Sequence, residues 1–216
     1  DGGGGDDSLN GGAGNDRITD YIGSNTMSGG AGHDSIGGRG DAFGEDGNDS
    51  LTIYGGSADG GAGDDFLSGN NTDEHTTDLF GGAGDDQLTQ GIALNHEGRP
   101  PSHIGLVDGG DGNDIIYGGG SLDCFLDGGA GDDAIIISNG YAIAVGGDGD
   151  DNVYGAQTFR TGDEASVGAQ MQGGDGDDVA LFVLGSHFDS PTDYSADYLL
   201  EGGAGNDHLT IATFAN

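Results

Sequence analysis

Gly81-Gly82-Ala83-Gly84-Asp85-Asp86-Gln87-Leu88 decides the fold. It has the form Gly-Gly-x-Gly-x-Asp-x-apolar. The same octapeptide begins at Gly2, Gly11, Gly29, Gly44, Gly60, Gly81, Gly109, Gly128, Gly146, Gly173 and Gly202. Glu45 replaces the second glycine in one copy, and Ala180 closes another. Self-similarity of this kind is the signature of a stacked-repeat architecture, in which one unit cannot bury its apolar face alone. The spacings between starts are 9, 18, 15, 16, 21, 28, 19, 18, 27 and 29 residues. Only the first equals nine, so Gly2 and Gly11 are expected on opposite sides of one coil. The ten starts from Gly11 to Gly202 are expected to form one column, one turn per coil. The opposite side is expected to carry remnants such as Gly37-Gly38-Arg39-Gly40-Asp41, and elsewhere irregular loops.

Each position has a physical reason. Glycine allows positive φ and lets backbone carbonyls crowd together without a Cβ between them. The Asp supplies a hard carboxylate oxygen suited to a cation such as Ca2+. The apolar residue two positions later opens a short strand and points inward: Leu9, Ile18, Ile36, Leu51, Leu67, Leu88, Ile116, Ile135, Val153 and Leu209. A second apolar residue precedes the glycines: Met27, Leu79, Val107, Leu126, Val145 or Ala144, Met171 and Leu200. Short strands with period-two alternation should therefore flank every turn.

Composition agrees. Of 216 residues, 51 are Gly, 39 are acidic and only 4 are basic, for a formal net charge of −35. Such a chain repels nucleic acid and anionic membranes, and its natural partner is a cation. High charge with few large apolar residues would by itself suggest disorder, but the acids fall in register with the repeat. The single cysteine, Cys124, excludes an intramolecular disulfide. No apolar run approaches the ~18 residues of a membrane-spanning helix. The chain starts inside a repeat and shows no signal peptide, so residues 1–216 are expected to be one repeat domain from a longer protein.

The ordered octapeptides resemble the RTX nonapeptide repeats of secreted bacterial toxins, proteases, lipases, epimerases and adhesins. The resemblance implies an all-β fold: a right-handed parallel β-roll, a β-helix-like solenoid of about ten coils. It also implies Ca2+ between the turns of successive coils, held by backbone carbonyls and the Asp carboxylate. Carried over by position, the carboxylates are Asp7, Asp16, Asp34, Asp49, Asp65, Asp86, Asp114, Asp133, Asp151, Asp178 and Asp207. Asp7 matches the motif but lacks an evident neighbour on its own side. The carbonyl positions are Gly11, Gly14, Gly29, Gly32, Gly60, Gly63, Gly81, Gly84, Gly109 and Gly112, followed by Gly128, Gly131, Gly146, Gly149, Gly173, Gly176, Gly202 and Gly205. Ten turns enclose nine gaps, hence roughly nine ions. The residue before each Asp, usually Asp or Asn, is expected to shape the turn rather than bind metal, with His33 the exception. The resemblance further implies type I secretion and an extracellular or cell-surface location.

No enzyme motif stands out. His96-Glu97 is followed by Gly98, Arg99 and Pro100, not by a zinc-binding helix, and a Gly-x-Ser-x-Gly elbow is missing. The reading is therefore a non-catalytic calcium-binding structural module that folds outside the cell and scaffolds a larger protein. Two alternatives stand beside it. An adhesin region would bind glycan or surfaces through the long loops Gly69–Asp78, Gly91–Leu106, Gly155–Gln170 and Gly185–Tyr198, which carry Phe159, Phe188 and Tyr194. A filament or surface-layer subunit would self-associate through its coil ends.

Overall fold

The computed structural model describes residues 1–70, 77–91, 105–119, 124–138, 142–158, 167–185 and 196–214. The long loops singled out above lie mostly outside these residues, including His96, His103, Phe159, Arg160, His187, Phe188 and Tyr194.

Eighteen strands join into one sheet that winds on itself as a parallel β-roll. The described residues contain no helix. Successive coils add one strand to each of two faces. Two long strands, β2 (Arg17–Ala31) and β3 (Ser35–Asp46), run through both faces. The face that leaves the Gly/Asp turns continues with β4 (Ser50–Tyr54), β6 (Phe66–Asn70), β8 (Gln87–Gly91), β10 (Ile115–Gly119), β12 (Ala134–Ser138), β14 (Asn152–Thr158), β16 (Val179–Gly185) and β18 (His208–Phe214). The face that enters the turns holds β1 (Ser8–Ala13), β5 (Gly56–Ala62), β7 (Thr77–Ala83), β9 (Gly105–Asp111), β11 (Cys124–Ala130), β13 (Ala142–Asp148), β15 (Val167–Asp175) and β17 (Ala196–Ala204).

Register follows the repeat. On the leaving face Ile18, Ile36, Leu51, Leu67, Leu88, Ile116, Ile135, Val153, Ala180 and Leu209 form one ladder. On the entering face Met27, Ala42, Ala58, Leu79, Val107, Leu126, Ala144, Met171 and Leu200 form the other. The two ladders meet as a thin core in which Leu51, Leu67, Leu79, Leu88, Val107, Ile116, Leu126 and Ile135 are fully buried, and Ile53, Cys124, Ile137, Ala142, Ala169 and Phe182 extend it. Ala144, rather than Val145, is the inward residue of its coil. Where Phe182 enters the core, the preceding coil has Gly155; a Cβ there would run into the Phe182 ring.

The opposite side departs from expectation near the N-terminus. The Gly2–Asp7 turn does have a neighbour: it stacks on residues 20–25. Gly2 N donates to Asp20 Oδ2 at 2.7 Å, Asp7 N to Asn25 Oδ1 at 3.0 Å, and Thr26 N to Asp7 O at 2.8 Å. The pattern was hidden because Asp20 stands where the motif has its first Gly, and Asn25 where it has its Asp. The next coil turns tightly at Gly38-Arg39-Gly40, within the remnant read from the sequence, and the one after it at Gly55-Gly56; Gly40 N donates to Gly55 O at 3.2 Å.

A thin core makes each inward side chain matter. Leu88→Ala should lower stability by roughly 2–5 kcal/mol. Thr89→Ala, on the outward side of the same strand, should change it by less than about 0.5 kcal/mol. Denaturant unfolding in saturating calcium checks both; equal effects would contradict this placement of the core.

Candidate metal centre

The ten octapeptides from Gly11 to Gly202 stack directly on one another, and their aspartates line up along the roll. From Asp34 onward each uses one carboxylate oxygen in the same way. Asp16 N donates to Asp34 Oδ1 at 2.7 Å, Asp34 N to Asp49 Oδ1 at 2.7 Å, and Asp49 N to Asp65 Oδ1 at 2.6 Å. The ladder continues from Asp65 to Asp86, Asp114, Asp133, Asp151, Asp178 and Asp207. It runs unbroken through the nine gaps of the column.

The second oxygen is different. Oδ2 of Asp16, Asp34, Asp49, Asp65, Asp86, Asp114, Asp133, Asp151 and Asp178 is buried without a hydrogen-bond partner, and so is Oδ2 of Asp7 on the opposite side. A buried carboxylate oxygen normally finds a donor, and leaving one without costs free energy. Asp207, in the last coil, is only half-buried.

The glycines explain where these oxygens sit. A Cβ built on Gly11 would lie 2.7 Å from Asp16 Oδ2 and 2.7 Å from Gly29 O. Gly44, Gly60, Gly81, Gly109, Gly128, Gly146 and Gly173 are crowded in the same way, by the Asp Oδ2 of their own turn and the first-glycine carbonyl of the next coil. The first glycine thus keeps open a space lined by oxygens from two coils. The glycines at the second and fourth positions do another job: they turn the chain at positive φ, as at Gly110 (107°) and Gly112 (137°). Glu45 occupies a second-glycine position at φ 76°, the one positive-φ non-glycine among the described residues, and accepts a hydrogen bond from Ser28 Oγ.

The residue before each Asp forms a second ladder on the outside, running in the other direction. Asp85 N donates to Asp64 Oδ1 at 3.1 Å, Asn113 N to Asp85 Oδ1 at 2.8 Å, Asp132 N to Asn113 Oδ1 at 2.7 Å and Asp150 N to Asp132 Oδ1 at 2.9 Å. These side chains shape the turn, as expected. His33 fits too: its Nδ1 accepts from Asn48 N at 2.9 Å, an imidazole nitrogen standing where the other coils place a carboxylate or amide oxygen.

Burial pushes the column carboxyls up. Asp86 and Asp133 are raised to about 7, and Asp65, Asp114 and Asp151 to about 6. In each the accepted backbone N–H works against burial, while nearby carboxylates add to it; for Asp86 these are Asp114 and Asp65 in the adjacent coils. The fold thus concentrates negative charge where it is poorly solvated.

Among the described residues no three His, Cys, Asp or Glu side chains gather as a metal cluster. A cation between coils would therefore rely on carboxylate and backbone carbonyl oxygens. That all-oxygen donor set suits Ca2+, not Zn2+. The profile of the RTX calcium-binding nonapeptide repeat matches residues 1–36, 57–74, 78–89, 106–124, 143–157 and 199–210, about half of the chain. The chain belongs to the RTX calcium-binding repeat family. As an RTX chain it is a calcium-binding repeat module. A search of curated proteins finds no match.

On the opposite side, Asp7 Oδ2 gives this RTX roll one further orphaned oxygen. Asp20, its buried neighbour, already accepts from Gly2 N and Ile22 N, which lowers its pKa. In the next coil Gly38 pairs with Asp20 and Gly40 with Asn25, so a second column of aspartates does not continue among the described residues.

Two predictions follow the charge. In Asp133→Asn the amide oxygen can still accept from Asp114 N, but the buried anionic oxygen is gone. Equilibrium dialysis should count at least one fewer bound calcium per chain, and the folding midpoint should move to higher calcium; an unchanged count would remove Asp133 from the ligand set. Without calcium, a carboxyl raised in the fold disfavours folding once ionised. That penalty is absent near the unfolded value of 3.8 and grows as pH rises towards 6–7. Metal-free chain should show more β-structure by circular dichroism at the acidic end of this window than at neutral pH, and the opposite order would contradict it.

Proposed function

We propose that this RTX chain is a non-catalytic module that folds when Ca2+ fills the gaps of its turn column, and that it scaffolds a larger protein exported through type I secretion. The observation that carries the reading is the row of aspartates from Asp34 to Asp178, each with one oxygen tied to the coil before and the other buried and unpartnered. In this reading the ligands are those Oδ2 atoms and the glycine carbonyls beside them, with roughly nine ions in the main column and one more beside Asp7.

The energetics support a switch. An ion that binds only the folded state contributes RT ln(1 + [Ca]/Kd), about 1.4 kcal/mol per site at ten times Kd. Nine sites would contribute roughly 13 kcal/mol, comparable to the whole stability of a domain. Extracellular calcium modules bind at about 0.1–1 mM. A calcium-poor cytosol would leave the chain unfolded and fit for export, and the medium outside would fold it. The adhesin alternative rests on loops outside the described residues, and no observation on the roll favours it.

Calcium titration from chelator to about 10 mM, followed by far-ultraviolet circular dichroism with magnesium as control, tests the proposal. A cooperative coil-to-β transition near millimolar calcium, absent with magnesium, is expected. A full β signal in excess chelator at neutral pH would overturn it.

A further inference from the structure

The roll segregates its charge. The eight short strands of the leaving face, β4, β6, β8, β10, β12, β14, β16 and β18, contain no Asp, Glu, Lys or Arg at all, in a chain with 39 acidic residues. Their outward positions mix Ser, Thr, Asn and Gln with Tyr54 and Phe66 in the first coils, are mostly apolar from Ile115 to Leu181, and end on His208 and Thr210. Phe66, Ile115, Tyr117 and Tyr154 stand out at 42, 40, 38 and 39 % exposure. Ile136 lies between Tyr117 and Tyr154 in register, and Leu181 follows Tyr154. The entering face has large apolar residues outside too, such as Phe80 and Phe125, but Asp59, Asp78, Asp108, Asp127 and Glu201 are set among them.

We infer that the leaving face is a self-association surface on which a second copy of this chain packs face to face. Charge selects the occupant. Two chains of formal charge −35 repel over most of their surfaces. The turn column, the outer Asp/Asn ladder and the entering face all present carboxylates. Of the two sheet faces among the described residues, the leaving face is the one on which two copies can meet without burying like charge, and a neutral face is complementary to itself, as a twofold dimer requires. Size agrees. Eight strands spaced by about 4.8 Å, each five residues at about 3.3 Å, give a face of roughly 38 by 17 Å, so two copies would bury on the order of 1,200 Å2 in all. That reaches the lower end of specific interfaces. Sheets stacked about 10 Å apart would interleave Tyr117, Ile136 and Tyr154 with their counterparts.

The test uses the full chain in about 10 mM calcium, with circular dichroism read on the same samples. Sedimentation equilibrium should show twice the chain mass at tens of micromolar protein. The double variant Tyr117→Asp/Tyr154→Asp should keep the β signal and dissociate at least a hundredfold more readily. Phe80→Asp/Phe125→Asp, on the entering face, should leave the dimer intact. Should the aspartates prevent folding, Tyr117→Thr/Tyr154→Thr gives the same reading with the neutral surface kept. A folded wild-type monomer at about 0.5 mM protein overturns the inference, and so does a dimer lost only in the entering-face variant. A folded monomer that instead co-sediments with insoluble cellulose through Tyr117 and Tyr154 would assign the face to a neutral glycan and equally overturn it. Because folding is followed separately, loss of the β signal in wild type counts against the calcium-folding proposal and not against this surface.

Discussion

Everything in this roll depends on a carboxylate that is only half satisfied. From Asp34 to Asp178 each column aspartate gives one oxygen to the backbone N–H of the coil before it, which fixes the stacking register. The other oxygen is buried with no donor. Neither half works alone. Without the N–H contact the coils would have no reason to hold the aspartates in line, and without a cation the line is a row of poorly solvated charges. The glycines serve the same arrangement, since a side chain at the first position would occupy the space in which the oxygens converge.

The apolar core is secondary. Its two main ladders hold one residue per coil, several of them alanine (Ala42, Ala58, Ala144 and Ala180), and only some coils add a second inward side chain such as Ile53, Ile137 or Phe182. So slight a core has little to set against the conformational entropy of a chain that is nearly a quarter glycine. The backbone ladders and the two counter-running side-chain ladders supply geometry, not the missing driving force. The outer ladder of Asp and Asn adds more negative charge beside the column. That is tolerable in water, and it raises the attraction of the whole edge for cations.

Much of this was legible because the repeat is written in residue types that have few substitutes. Gly, Asp and an inward apolar residue at fixed spacing determine the column, the register and the inward residues. The choice between Ala144 and Val145 was left open, since both are small and apolar, and strand alternation in three dimensions resolves it. The pairing of Gly2–Asp7 with residues 20–25 was not legible. There the turn keeps its shape through Asp20 and Asn25, which hydrogen-bond to the neighbouring coil as the motif residues would but do not match its letters. His33 hides in the same way: an imidazole nitrogen accepts the bond that an Asn or Asp oxygen accepts elsewhere. What repeats is the acceptor, not the residue, and a reading by letters misses such exchanges.

The distribution of the remaining charge was also invisible in the linear chain, because strands of the two faces alternate along it. From β4 onward each coil contributes one leaving strand free of Asp and Glu, and several contribute an entering strand with an acid on its outer side. Alternation along the sequence becomes segregation in space once the coils stack. A turn edge built to collect cations demands carboxylates, but nothing in that task requires one whole sheet face to be free of them. Solubility would favour scattering them there too. The absence of acids from these eight strands of a chain so rich in them is therefore a second constraint on this sequence, separate from calcium, and it falls on the sheet face, among the described residues, where another acidic chain meets no carboxylate.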